Sequence, residues 1–143
     1  MALSANAVIS TKPLVDIFER GIVDGLIHIY QGSLLNYEAA NIGYVKLASD
    51  TASEEFAGVS MEEQDLTAAL NTADGTYDVK MYAKGSGRVF LMKVTGGCSR
   101  ANIGDTVMAD GDDAVDFTGG VTHDVAVGTV VDIYSATHAW IKI

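Results

Sequence analysis

Short strand-forming runs, each cut off by glycine, aspartate or asparagine, recur from Arg88 to Ile143 and constrain the fold more than any other feature of the chain. Arg88-Val-Phe-Leu-Met-Lys-Val94 is rich in strand formers until Thr95-Gly-Gly97 breaks it. Ala101-Asn-Ile-Gly-Asp105 reads as a turn ahead of the short strand Thr106-Val-Met-Ala109. Gly128-Thr-Val-Val-Asp-Ile-Tyr134 and His138-Ala-Trp-Ile-Lys-Ile143 are two further strands, joined by Ser135-Ala-Thr137. Turn signals at this close spacing predict a small barrel or sandwich of short antiparallel strands. The closing run, Trp140 to Ile143, is expected to be one of its staves.

The N-terminal half continues the rhythm less cleanly. Thr76 to Lys84 alternates, with Tyr77, Val79 and Met81 on one face and Asp78, Lys80 and Tyr82 on the other. Gly85-Ser-Gly87 then connects it to Arg88–Val94, which predicts a hairpin. Leu26-Ile-His-Ile-Tyr30, the turn Gln31-Gly-Ser33 and Leu34-Leu35 predict a second one. Gly43–Ala48 and Glu55–Ser60 read as strands, and Gly58 marks a bulge or a close backbone approach. Met61–Gly75 reads as an acidic surface loop in which Leu66, Ala69 and Leu70 could make one helical turn. Pro13–Glu19 fits a helix start and an alternating strand equally well. Met1–Lys12 fits either an arm that orders on a partner or a plain first strand. No repeat of fixed period stands out, although the two halves share a loose strand-turn rhythm. The expectation is therefore an all-β chain: a β-barrel or sandwich over 26–143, with 1–25 as an N-terminal arm or first-strand region and at most one short helix.

At 143 residues the chain is long enough to bury a core without staples. Nineteen acidic against nine basic residues give a net charge of −10, which repels phosphate backbones and anionic lipid and argues against nucleic-acid and membrane partners. The N-terminus shows no basic region followed by an apolar core, so no signal peptide is expected. Cys98 is the only cysteine, which excludes an intrachain disulfide and a cysteine-based zinc site. His28, His123 and His138 are far apart and lack ligand-spaced companions, and His28 reads as a hydrogen-bonded barrel residue. No P-loop, G-x-S-x-G or H-E-x-x-H is present. Asp110-Gly-Asp-Asp113 with Asp116 invites calcium, yet an EF-hand beginning at Asp110 lacks the central glycine and the closing glutamate. It reads as a solvated acidic turn. No cofactor, no metal and no catalytic residue is expected, and the chain does not read as an enzyme.

Ile29–Leu35, Tyr44–Thr51, Phe56–Ser60, Arg88–Met92, Ile103–Val107, Val127–Asp132 and Ala139–Ile143 form an ordered succession of segments. In that order they resemble the small head-decoration (cement) proteins of tailed bacteriophages. Ile29-Tyr-Gln-Gly-Ser-Leu-Leu35 is similar to that family's opening strand, and Tyr44–Thr51 leading into Phe56-Ala-Gly-Val-Ser60 to its next segment. Arg88–Met92, Ile103-Gly-Asp-Thr-Val107, Val127–Asp132 and Ala139–Ile143 follow in the family's order and rough spacing. The resemblance covers about residues 26–143. It implies a compact β-barrel-like domain, made in the bacterial host's cytoplasm and placed on the outer capsid surface of the virion. It further implies a homo-oligomer, with a trimer favoured, that binds the major capsid protein and braces the expanded shell. The capsid contact expected on this reading is the apolar set Val8, Ile9, Leu14 and Phe18, whose other reading is ordinary core. A tail or head-completion component is the neighbouring possibility. A carbohydrate- or receptor-binding module, with Trp140 and the tyrosines as a stacking face, belongs to a different class.

Overall fold

The computed structural model describes residues 17–143 apart from 42, 69 and 70. Every regular element among them is a strand, save one 3₁₀ turn at Arg100–Asn102. The strands are β1 (Ile17–Ile22), β2 (His28–Ile29), β3 (Leu34–Tyr37), β4 (Tyr44–Leu47), β5 (Glu55–Ser60) and β6 (Gln64–Asp65), followed by β7 (Asp78–Ala83), β8 (Val89–Val94), β9 (Thr106–Ala109), β10 (Ala114–Phe117), β11 (Ala126–Ser135) and β12 (His138–Lys142). They close into two five-stranded barrels, β1-β4-β3-β5-β7 and β10-β8-β12-β11-β9, while β2 and β6 form a separate two-stranded sheet. The expected all-β barrel class is what the chain adopts, in duplicate.

The two barrels are the same barrel twice. Taken in chain order, each ring joins its first strand to its third in parallel and makes every other pairing antiparallel. The register coincides as well. Ile22↔Val45 in the first barrel corresponds to Val94↔Val115 in the second, and Phe18↔Met81 to Phe90↔Ile141. A bulge falls at one place in both, between Phe56 and Gly58 and between Ala126 and Gly128. The tight turns match too: Gly32 N–H donates to the Ser60 carbonyl and Gly104 N–H to that of Val130, each at 2.9 Å. Equivalent residues fill the two lumens, with Ile22, Leu35, Val45, Ala57, Val79 and Met81 facing Val94, Val107, Val115, Val127, Ala139 and Ile141 as counterparts. The spacing between equivalents shrinks from 72 at Ile17 and Val89 to 60 at Asp78 and His138. The first barrel therefore has extra chain between β5 and β7. That chain is the Met61–Gly75 segment, and it supplies β6, which pairs with β2.

The barrels pack through β5. Its Ala57 points into its own lumen, while Phe56 and Val59 pack with residues of the second barrel in one shared core. This double burial explains why Glu55–Ser60 is almost continuously apolar where β7 alternates. Leu34 N–H donates to the Asp112 carbonyl at 2.7 Å, and the Tyr82 and Phe90 rings meet at 5.6 Å, so the halves form one packed unit.

Three expectations need correction. β7 and β8 do not form a hairpin: β7 pairs with β1 and β5, β8 with β10 and β12, and Lys84–Arg88 is the crossing between barrels. Local glycine chemistry permits a turn there, but each strand gains more by closing its own ring. β2 likewise pairs with β6 and not with β3. Finally, Met61–Gly75, expected as a surface loop, holds a strand and the core residue Leu66, while Ala69 and Leu70 of the expected helical turn lie outside the described residues. β1, within the region expected as an N-terminal arm or first strand, is a stave of the first barrel.

Candidate binding surface

The residues with titratable or nucleophilic chemistry are scattered by the fold. Among the described residues no three of His, Cys, Asp and Glu come together as a metal site. Asp110–Asp113 is the bend between β9 and β10, where Asp110 accepts a hydrogen bond from Thr95 Oγ1 at 2.5 Å. Asp116 points elsewhere. Its buried carboxylate lies against Gly96 and Gly120 and accepts the N–H of Phe117 at 2.8 Å, so the acidic cluster of the sequence is divided. The Cys98 thiol donates to the Ser135 carbonyl at 3.3 Å, and burial pushes its pKa up, away from thiolate reactivity.

The histidines are held by acids and hydroxyls on different elements. His28, in β2, places Nε2 2.7 Å from Glu63 Oε1 and stacks on Tyr30 with ring centroids 4.0 Å apart. It belongs to the accessory sheet and not to a barrel wall. His123 sits at 3.4 Å from Asp50, whose carboxylate also takes the N–H groups of Thr122 and His123 at 2.6 and 2.7 Å. Those two backbone bonds and the adjacent imidazole hold the Asp50 pKa below the usual carboxylate value. His138 opens β12, with Nδ1 3.0 Å from Thr137 Oγ1. A buried polar group lies under the first barrel: Glu54, its side chain 1% exposed, is hydrogen-bonded by Asn36 and Lys46. That bond to Glu54 raises the Lys46 pKa above 10.5, with Glu38 adding to it.

The surface is more informative than these clusters. Leu91 on β8 and Trp140 on β12 are cross-strand partners, 42% and 37% exposed, on the outer face of the second barrel. Val89 extends the stripe along β8, and the β11 bulge turns Val131 outward beside them. Lys142 pairs with Val89 and Lys93 with His138, so lysines flank the apolar centre. Flanking β2, Leu26 and Tyr30 are 76% and 56% exposed, two residues either side of His28, whose ring meets Glu63 and Asp65. A cleft of about 430 Å³ lies between the barrels, with Gly32 and Leu34 on one wall and Leu91, Lys93 and His138 on the other.

Of the expected contact residues, Val8, Ile9 and Leu14 lie outside the described residues. Phe18 is half-buried in β1, where it packs against the first-barrel core with the Arg20 guanidinium 4.7 Å from its ring. The exposure of Leu91 and Val131 escaped sequence reading, although alternation along Val89–Val94 puts every second residue on one face. No protein-family model matches this chain, and no curated protein sequence matches it.

Proposed function

We propose that this chain is a structural virion protein, without catalysis, that binds the outer surface of an expanded phage capsid and bridges its major capsid subunits. The observation that carries the reading is where the phage-like segments fall. Tyr44–Thr51, Phe56–Ser60, Arg88–Met92, Ile103–Val107, Val127–Asp132 and Ala139–Ile143 all contribute to barrel staves and the turns that set their register. A pair of packed barrels with apolar side chains on the outside suits a protein that binds another surface.

The mechanism is mass action. A protein that binds the assembled shell and not free coat subunits stabilises the shell by RT ln(1 + [L]/Kd), about 2.7 kcal/mol per site at a free concentration 100 times Kd. Contacts that span two neighbouring subunits couple that energy to their separation. Scanning calorimetry of expanded heads lacking the protein tests this. The melting temperature of the shell rises with added protein, in step with its free concentration. An unchanged shell transition at saturating protein refutes the mechanism.

A second reading rests on Trp140, whose half-exposed indole beside Leu91 could stack on a sugar. Glycan binding that disappears in Trp140→Ala, with the fold kept, would favour a carbohydrate-binding module.

A further inference from the structure

The duplication supplies an internal control for the surface. Positions 91 and 140 of the second barrel correspond to Glu19 and Lys80 of the first, which are cross-strand partners in the same register. The first barrel closes with a charged pair there, so closure does not require the apolar Leu91–Trp140 pair. The first barrel has a feature of its own, the β2–β6 sheet, flanked by the exposed Leu26 and Tyr30 and carrying His28, whose ring meets Glu63 and Asp65. The two halves also differ in charge. Residues 17–83 carry 11 acidic and 3 basic side chains, residues 84–143 carry 7 and 5.

We propose that the Leu91–Trp140–Val131 face of one copy docks on the Leu26–Tyr30 face of the next, so that the chain associates head to tail with itself. The occupant follows from complementarity. The second-barrel face has an apolar centre flanked by Lys93 and Lys142, neither of which has a carboxylate partner among the described residues. Asp132, opposite Trp140, keeps its carboxylate on the Ile133 N–H. The segment around β2 offers the matching surface, two exposed apolar side chains either side of a histidine held by acids, on the strongly negative barrel. Steering by opposite charge and burial of an indole at the centre are the usual ingredients of a specific contact. The contact joins unlike faces, so it closes as a two-fold dimer where both pairs form reciprocally and as a ring or a fibre where each copy engages two others. It rests on the two barrels and not on the capsid reading.

Sedimentation velocity of the full chain, with two face variants, tests it. Wild-type protein forms an oligomer that dissociates on dilution and on addition of salt. L91E/W140K copies the pair already present in the first barrel, so it folds, and it weakens association by about 100-fold. L26R/Y30R changes only exposed side chains of the other face and has the same effect. Mixed together, the two variants retain one intact pair of faces and form a 1:1 dimer that grows no further. Should L91E/W140K lose its circular-dichroism melting transition, Trp140→Lys alone must still weaken association. A wild type that stays monomeric overturns the proposal. Self-association retained by L26R/Y30R overturns it too, since the Leu26–Tyr30 face would then lie outside the contact.

Discussion

At Gly58 an added Cβ would run into the carbonyl of Tyr82, and at Gly128 into that of Lys142. Both positions sit at the bulge, where β5 and β11 come close to the last stave of their barrels. The obstacle is backbone and cannot swing aside, so Gly58→Ala and Gly128→Ala each cost about 2–3 kcal/mol, read as a lower urea midpoint at unchanged m. Equal costs at the two sites would reflect their equivalence. Lys46 carries a different kind of cost. Without its ammonium the buried Glu54 carboxylate keeps only the Asn36 amide and Ser49, so Lys46→Met destabilises by about 2–4 kcal/mol at neutral pH. Because pairing raises the Lys46 pKa, this stabilisation is complete below 10.5 and is lost as pH rises through the higher folded value. Wild type and variant should therefore converge in strong alkali.

Between elements, the clearest electrostatic tie is Asp50, which reaches from the loop after β4 to the backbone of Thr122 and His123 in the second barrel. Its pKa is depressed in the folded state, so its contribution is present above the ordinary carboxylate range and is lost as pH falls through the folded value. Thermal denaturation should show Asp50→Asn less stable than wild type at neutral pH, with the gap closing in acid. A gap that persists in acid would mean that Asp50 acts through shape and not charge. Strand existence was legible because period-two alternation is local, as in Tyr77–Tyr82, and the close approach at Gly58 was legible from a glycine inside an apolar run. Partner choice was not. The Lys84–Arg88 crossing uses the same glycines as a hairpin, and the difference lies in contacts with β1, β5, β10 and β12, far away in sequence. The repeat was hidden because the spacing of equivalents drifts from 72 to 60 and few residues coincide. Phe18 and Phe90, Gly32 and Gly104, Val45 and Val115, and Gly58 and Gly128 are among those that do. What recurs elsewhere is size and polarity, which two barrels of one register need and which sequence identity does not record.

For the molecule as a whole, the shared core makes the two barrels one cooperative unit. Phe56 is 2% exposed and packs with the second barrel although it belongs to the first. Phe56→Ala should cost about 3–5 kcal/mol and split a single thermal transition into two, as followed by calorimetry. Little of the candidate contact surface was legible: Trp140 was named for a stacking face and Tyr30 only as one of six tyrosines, because exposure depends on which way each segment faces once the rings close. A duplicated barrel with different outer faces presents two distinct surfaces. Co-sedimentation with expanded heads lacking the protein, alongside unexpanded procapsids, is the most direct measurement. The account predicts saturable binding to the expanded heads at a fixed ratio to coat subunits and none to procapsids. Failure to bind either shell, by protein that is folded by circular dichroism, would contradict it.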